Sequence, residues 1–222
     1  MAVARTGVVI PIRAFALGKA RLAEMLDPDQ RAVLGRRLAD QVVAAAGEFT
    51  TLVVSSDTDV RAWADQLPVS VIDDPGKLDA AADAGRAFFA NLGYHRVVIA
   101  HGDLPFARSF AGVARDESQP IVAIVPCHRD DGTPVLSVPV DVDFDFAYGP
   151  GSFRRHAAQA RQRGLGLRVV RDPNLAFDVD LPDDLLTVRR SLRAGIPGSP
   201  PFAPGEQAAS LVAACGSIGS DR

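Results

Sequence analysis

Short apolar runs rich in β-branched residues alternate with segments of helical periodicity along most of this chain, and this alternation limits the folds it can adopt. The predicted strands cover residues 7–13, 51–55, 69–72, 96–100, 121–125, 135–138 and 167–170. Helices are predicted over 57–66 and 79–92, and from Asp27, Ser152 and Pro182 onward. Strands that alternate with helices predict an α/β fold with a mostly parallel central sheet and helices on both faces.

The chain of 222 residues is long enough for one large core. We predict a single domain over residues 1–193. From residue 194 to 222 the sequence is rich in Gly, Pro, Ser and Ala and has no strong periodicity, so we predict a flexible tail there.

Bulk properties exclude several classes of protein. The formal net charge of −3 argues against a nucleic-acid binder, which needs a basic face. No apolar run approaches the ~20 residues that span a bilayer, and the first residues lack a signal-peptide pattern. Cys127 and Cys215 imply no disulfide framework. We therefore expect a cytoplasmic protein; a homodimer is compatible with the sequence, which does not fix the oligomeric state.

Polar side chains follow the predicted strands at their carboxyl ends, where ligands bind in open parallel sheets. After the first strand, Arg13, Lys19 and Arg21 supply three cations that could neutralise a triphosphate. Lys19 is one of only two lysines in an arginine-rich chain, which suggests that a compact point charge is needed there. The segment is not a Walker A loop. Taken alone, it could also be a solvated loop with a lysine retained by chance.

Three carboxylates predict a divalent-metal site. Asp103 directly follows a buried strand, where a carboxylate is costly unless it binds something such as Mg²⁺; the alternative is that it caps the next helix. Asp178 and Asp180 point the same way in an extended chain, and they repel unless a cation lies between them or one is protonated. Asp183 and Asp184 fall in the first turn of a helix, so we interpret them as structural.

Glycines and small polar residues predict an anion site. Thr133 follows a charged turn, while Gly149 and Ser152 precede a predicted helix whose free N–H groups could face a phosphate. Arg154 and Arg155 would strengthen the positive potential. The alternative is an ordinary serine N-cap.

Five segments in order resemble the 2-phospholactate guanylyltransferases of deazaflavin coenzyme (coenzyme F-420) biosynthesis. They are IPIRAFALGKARLA, HGDLP, GTPVL, YGPGSFRRH and FDVDLPDDL, within roughly residues 7 to 190. The chain is similarly close to bacterial relatives that use phosphoenolpyruvate and to variants that use 3-phosphoglycerate. The resemblance implies a nucleotide-diphospho-sugar-transferase-like, Rossmann-like fold, GTP as co-substrate, Mg²⁺ as cofactor and a small phosphorylated carboxylic acid as acceptor.

The resemblance also implies roles for residues at matching positions. Asp103 and Lys19 would be catalytic; the metal ligands would be Asp103, Asp178 and Asp180; the nucleotide would contact Arg13, Lys19, Arg21 and Asp79; and the acceptor would contact Thr133, Gly149 and Ser152.

The chain departs from the family pattern at three places. Asp79 stands where the family usually has Asn, Pro134 follows Thr133 where Asn is common, and Leu181 replaces a Thr. These changes affect base recognition and acceptor identity but leave the metal site intact. Two alternatives therefore stay open: another nucleotidyltransferase of the same fold, acting on a cytidylyl group or a sugar nucleotide, and a non-catalytic nucleotide-binding protein. The four histidines show no zinc-finger spacing, so no zinc site is expected.

Overall fold

A computed structural model describes residues 5–16, 18–115 and 119–194. The strands in these ranges are β1 (Thr6–Pro11), β2 (Thr50–Val54), β3 (Ser70–Ile72), β4 (Arg96–Ala100), β5 (Ile121–Val125), β6 (Val135–Pro139) and β7 (Gly166–Val169). The helices are α1 (Pro28–Ala46), α2 (Thr58–Ala64), α3 (Leu78–Asn91), α4 (Ala111–Ala114), α5 (Ser152–Gln162) and α6 (Pro182–Ala194). The predicted tail lies outside the described residues from 195 onward.

The strands form one seven-stranded sheet with the order β3-β2-β1-β4-β6-β5-β7. Its pairs are parallel except those of β6, which runs antiparallel to both β4 and β5. The β5–β6 connection, residues 126–134, contains no helix, and a parallel return would need a longer crossover. The prediction of a mostly parallel α/β sheet is confirmed.

The core lies on both faces of this sheet because neighbouring residues of β1 point in opposite directions. Val9 packs with Phe89 of α3 and with α5, whereas Val8 and Ile10 pack with Val42 of α1 and with α4. A Cβ at Gly85 would come within 2.4 Å of the Val9 side chain, so glycine allows α3 to approach β1 closely. Helices therefore cover both faces, as predicted.

The start of α1 confirms a local signal in the sequence. The Asp27 side chain accepts a hydrogen bond from the backbone N–H of Gln30, and the Gln30 side chain accepts one from Asp27, which forms a capping box. Two short elements were not predicted: a 3-10 helix over Ala20–Leu22, and α4. Among the described helices, none combines the length and apolar character required to cross a bilayer.

The topology places three connections at one edge of the sheet. The carboxyl ends of β1, β4 and β5 lie there, and so does the beginning of β6, because Val135 pairs with both Ala100 and Val125. The loops after Pro11 and Ala100, and the connection between Val125 and Val135, therefore meet at this edge.

Candidate functional site

Lys19 lies among the acidic residues that were predicted to bind a metal. Its ammonium donates a hydrogen bond to Asp103 Oδ2 and lies 3.5 Å from Asp180 Oδ1, with its side chain only 11% exposed. The Lys19 backbone has a φ of 58°, in the left-handed region, and it caps the 3-10 helix. This conformation costs about 1 kcal/mol for a residue with a Cβ. The backbone is therefore strained at Lys19, the residue whose side chain lies in the acidic cluster.

Backbone contacts hold the two distant acidic segments together. The Val179 N–H donates to the Asp103 carbonyl oxygen over 3.3 Å. Asp184 Oδ2 accepts hydrogen bonds from the N–H groups of Asp180 and Leu181, at 2.9 and 2.8 Å. Asp103 at the end of β4 is thereby fixed beside the segment that carries Asp178 and Asp180. The structural interpretation of Asp184 is confirmed.

Lys19 balances only part of the negative charge of this cluster. Burial favours the neutral amine of Lys19, but the carboxylates of Asp103 and Asp180 outweigh it and raise the lysine pKa. Burial likewise opposes ionisation of Asp103, yet the Lys19 charge lowers its pKa. For Asp178, burial and then the neighbouring charges of Asp103 and Asp180 raise the pKa. Asp178 is the member of the cluster that lacks a full counter-charge.

Two carboxylate oxygens of the cluster accept no hydrogen bond from the described residues and could bind a ligand. Asp103 Oδ1 and Asp178 Oδ1 are buried without a hydrogen-bond partner, although His128 Nδ1 lies 3.4 Å from the latter. Within residues 5–16, 18–115 and 119–194, no three His, Cys, Asp or Glu side chains already stand in a metal-binding arrangement. Lys19 is the cation that the cluster holds in this structure.

Two cavities meet at this cluster. The first, of about 260 Å³, is lined by the β1 loop and by Gly102 and Asp103, and it includes Arg13 and Lys19. The second, of about 370 Å³, is bounded by Arg21, His101, Cys127, Arg129, Asp131, Gly132, Thr133, Tyr148, Gly149, Pro150, Ser152, Asp178, Asp180 and Leu181. The acidic cluster therefore stands between the predicted nucleotide residues and the predicted acceptor residues.

Arg21 lies elsewhere than predicted. The sequence groups it with Arg13 and Lys19, but it lines the second cavity together with Thr133 and Gly149. The reason is the 3-10 helix that begins just after Lys19, because it turns the chain away from the β1 loop. Asp79 also has a different neighbour from the one expected: its Oδ1 accepts a hydrogen bond from the Tyr148 N–H at 2.7 Å, which ties α3 to the loop before α5.

The wall of the second cavity is a buried hydrogen-bond network. Ser152 Oγ donates to Thr133 Oγ1, and His156 Nδ1 lies 3.1 Å from the same Thr133 oxygen. His156 Nε2 accepts a hydrogen bond from the Ala147 N–H at 2.9 Å. Ser152 also lines the cavity, but it is buried and its hydroxyl is bonded to Thr133, so its contact with a ligand stays a prediction.

The N-terminus of α5 has fewer free donors than the sequence suggested. The cap is Gly151, and its N–H donates to Asp131 Oδ1 at 3.0 Å. The N–H of Phe153 donates to the Asp131 carbonyl, and that of Ser152 donates to the Gly149 carbonyl. The expected free amides at these positions are therefore occupied by the chain itself.

Arg155 supports the loop before α5 instead of facing a ligand. Its guanidinium donates to the carbonyl oxygens of Ala147, Tyr148 and Pro150. Gly149 and Gly151 have φ values of 99° and 74°, which only glycine adopts without strain. The loop shape is consequently fixed by two glycines and one arginine.

Sequence reasoning missed several polar residues around the second cavity. His101 Nε2 and the Tyr148 hydroxyl are buried without partners, and their rings lie 5.5 Å apart. His156 is fully buried behind the wall. His101 and His156 lie inside two of the quoted segments, so their position in those segments was the available signal. Only the fold shows which atoms they contact.

Comparison with known proteins identifies relatives of this chain. Residues 6–189 match the family model described as "Guanylyl transferase CofC like". A phosphoenolpyruvate guanylyltransferase from Sphaerobacter thermophilus is 33% identical, over 81% of this chain and 90% of its own. One from Rubrobacter xylanophilus is 34% identical, over 82% and 93%. A 2-phospho-L-lactate guanylyltransferase from Methanothermobacter thermautotrophicus is 27% identical, over 82% of both chains.

Solved structures with low sequence identity show the same fold. A protein from Desulfovibrio desulfuricans G20, named by inference as a nucleotide-diphospho-sugar transferase, superposes with a TM-score of 0.75 at 16% identity over 95% of both chains. The CMP:2-keto-3-deoxy-manno-octonic acid synthetase complexed with CTP gives a TM-score of 0.56 at 14% identity, over 87% of this chain and 100% of that one. The nucleotide-diphospho-sugar-transferase-like fold predicted from the sequence is confirmed.

Proposed function

The chain belongs to the family of guanylyl transferases described as CofC like, and on that premise we propose that it transfers GMP from GTP to phosphoenolpyruvate or 2-phospholactate, with release of pyrophosphate. The diphosphate-linked product would serve coenzyme F-420 biosynthesis. Bacterial relatives at 33% and 34% identity are named for phosphoenolpyruvate, so we propose this acid as the acceptor to test first. 3-Phosphoglycerate is the third candidate.

The observation that carries this proposal is the acidic cluster between two cavities. A nucleotidyl transfer needs a triphosphate on one side of a charged centre and an attacking phosphate on the other. Arg13 and Lys19 supply positive charge in the first cavity, and Arg21 and Arg129 supply it in the second. Positive charge on both sides suits two anionic substrates that must approach each other.

The acidic residues fit a divalent cation. Asp103 and Asp178 each carry a buried oxygen without a hydrogen-bond partner, and oxygen ligands of this kind suit Mg²⁺. We propose that Asp103, Asp178 and Asp180 hold Mg²⁺ when GTP is present. The bound ion would stabilise negative charge on the phosphate oxygens. The ammonium of Lys19 would then be released from the acidic cluster to contact the triphosphate.

The residues of the chain contribute mainly by alignment and charge. An oxygen of the acceptor phosphate attacks the α-phosphorus, the bond from that phosphorus to the β-phosphate bridging oxygen breaks, and pyrophosphate leaves. A phosphate monoester is already anionic near neutral pH, so the reaction requires no proton removal by a side chain. Lys19 and Arg13 stabilise charge on the leaving pyrophosphate, while the Thr133–Gly149 wall orients the acceptor.

A pyrophosphate-release assay tests this function. The purified protein is supplied with Mg²⁺ and with GTP, CTP, ATP or UTP, each paired with phosphoenolpyruvate, 2-phospholactate or 3-phosphoglycerate. We expect release with GTP and one or more of these acids, and loss of release after chelation of Mg²⁺. Release only with CTP or UTP would indicate a different nucleotidyltransferase. Tight GTP binding without release on any acid would indicate a non-catalytic nucleotide-binding protein.

A further inference from the structure

His156 is fully buried on α5 and lies behind the wall of the second cavity, outside the set of residues that line it. It contacts the wall through both ring nitrogens, Nδ1 with Thr133 and Nε2 with Ala147. We propose that His156 is a positioning residue of the acceptor site, which holds the Thr133 hydroxyl so that its hydrogen faces the acceptor. This inference rests on the proposed function, because it concerns binding of the phosphorylated acid.

The hydrogen bonds fix which nitrogen of His156 carries the proton. Ala147 N–H can only donate, so Nε2 must be the unprotonated acceptor at 2.9 Å. Burial, and then the charges of Arg155 and His101, lower the pKa of His156 to about 4, so the ring is neutral at pH 7. A neutral ring has one proton, which must lie on Nδ1. Nδ1–H therefore donates to Thr133 Oγ1.

Counting hydrogens then determines the direction of the Thr133 hydroxyl. Thr133 Oγ1 lies 3.1 Å from both His156 Nδ1 and Ser152 Oγ. Nδ1–H donates to it, and we assign the Ser152 hydroxyl as the donor of the second bond, so that Thr133 Oγ1 accepts both. A hydroxyl has two acceptor lone pairs and one hydrogen, so both lone pairs are used and the hydrogen remains. Thr133 lines the second cavity, and its remaining hydrogen is the donor available to a ligand.

A donor held in this way favours an oxygen that can only accept. Phosphate and carboxylate oxygens are acceptors of this kind, and a hydrogen bond to a charged group is worth more than one between neutral groups. If His156 did not donate, Thr133 could turn its own hydrogen toward α5 and offer the ligand a lone pair instead. His156 would therefore improve acceptor binding through Thr133 without itself touching the acceptor.

Two substitutions of His156 separate its two contacts. His156→Asn places an amide N–H at the position of Nδ1 and can still donate to Thr133. His156→Gln places an amide oxygen near the position of Nε2 and can still accept from Ala147, but it lacks the donor at Nδ1. We expect His156→Gln to raise the KM for the phosphorylated acid about tenfold, and His156→Asn to change it by no more than about twofold. The KM for GTP and kcat should stay near the wild-type values in both.

A double-mutant cycle with Thr133→Val provides the decisive control, because this substitution keeps the shape and removes the hydroxyl. If His156 acts through that hydroxyl, adding His156→Gln to Thr133→Val should raise the acceptor KM by less than about twofold further. A further rise of about tenfold, or equal effects of Asn and Gln in the wild-type background, would overturn the inference. Urea unfolding of all variants shows whether any KM change merely follows lost stability.

The tautomer of His156 can be measured without substrate. Nitrogen-15 NMR of the labelled imidazole should show a proton on Nδ1 and none on Nε2 at pH 7, and Thr133→Val should shift the Nδ1 signal. A proton on Nε2 contradicts the inference whatever the enzyme does. Absence of turnover with every acid, together with the expected tautomer, would instead overturn the proposed function alone.

Discussion

The two sides of the candidate site are held in different ways. On the side that we propose for the nucleotide, opposite charges hold Lys19 between Asp103 and Asp180, and Asp178 beside them lacks a full counter-charge. On the acceptor side, His156, Thr133 and Ser152 form a neutral network. In the proposed reaction, the charged side would exchange partners when a triphosphate and a cation bind. The neutral side is already arranged and needs no exchange.

This difference has an energetic reason. A buried charge without a partner is costly, so an acidic cluster that we propose binds a cation needs a substitute in the free protein, and Lys19 provides it. The neutral network has no such requirement, because it contains no charge that would be left without a partner. Substitutions on the charged side should therefore change activity most, and those on the neutral side should change affinity or stability.

Asp103→Asn should have the largest effect. It removes the carboxylate that pairs with Lys19 and that we propose as a ligand for Mg²⁺, so kcat should fall on the order of 10³-fold. The GTP-dependent release of pyrophosphate measures this loss, and circular dichroism checks that the fold remains. Asp183→Asn is the matched control, because Asp183 is exposed in the first turn of α6. Wild-type turnover in Asp103→Asn would refute the assignment.

Lys19→Met should have the next largest effect. It keeps much of the side-chain volume but removes the cation, so turnover should fall about 10²-fold. The unbalanced carboxylates should bind Mn²⁺ more tightly in the absence of nucleotide, which electron paramagnetic resonance of free Mn²⁺ can measure. Lys19→Arg, which keeps the charge, should not show the tighter binding. Equal Mn²⁺ affinity in wild type and Lys19→Met would mean that Lys19 does not compete with the cation.

Acid should weaken the neutral side through protonation of His156. Burial is the largest of the effects that lower the pKa of His156 from 6.5 to about 4. As the pH falls, His156 therefore binds a proton in the unfolded chain before it does so in the folded chain. The contribution of His156 to the free energy of unfolding is therefore fully present above pH 6.5 and is lost as the pH falls toward 4. Between pH 7 and 4.5 this group alone should cost about 2 kcal/mol. Asp103, whose pKa is lowered by Lys19 despite burial, remains charged in this window.

Urea unfolding at the two pH values measures this loss. His156→Asn lacks the titrating ring, so its free energy of unfolding should fall by about 2 kcal/mol less than that of wild type over the same interval. Parallel losses in the two proteins would mean that other groups cause the acid sensitivity.

Tyr148→Phe should have the smallest effect, and one of opposite sign. The Tyr148 hydroxyl is buried without a partner, and burial raises its pKa, so its removal should increase the free energy of unfolding by up to about 1 kcal/mol. Tyr94→Phe is the matched control, because the Tyr94 hydroxyl donates to Thr50 and accepts from Arg5. That variant should lose about 1 kcal/mol. Destabilisation of Tyr148→Phe would show that its hydroxyl has a partner in solution.

Local sequence patterns were sufficient for most of the fold. The run of five apolar-rich residues at Arg96–Ala100 coincides with β4, and Asp27 with Pro28 marks the start of α1. These features depend on neighbours along the chain, which a sequence shows directly. The antiparallel direction of β6 is less visible, because it depends on which strands Val135–Pro139 joins and not on its own composition.

The site was predictable as a set of residues but not as a set of contacts. The positions of Asp103, Asp178 and Asp180 after predicted strands were sufficient to group these three residues in one predicted site. It does not show that Lys19 adopts a left-handed backbone, since that strain is stabilised by distant carboxylates. Nor does it show the hydrogen bond between His156 and Thr133. This contact joins α5 to the turn before β6, and no spacing along the chain indicates it.

The reversed direction of β6 has a consequence for how such a protein can diversify. Because β5 ends and β6 begins at the ligand edge, the connection over residues 126–134 is one uninterrupted stretch of chain that supplies Arg129, Asp131 and Thr133 to the acceptor side. An all-parallel arrangement would distribute these contributions over separate loops. A single exchange of this stretch between homologous genes could thus alter the choice of acid while the half that we propose binds GTP is inherited unchanged.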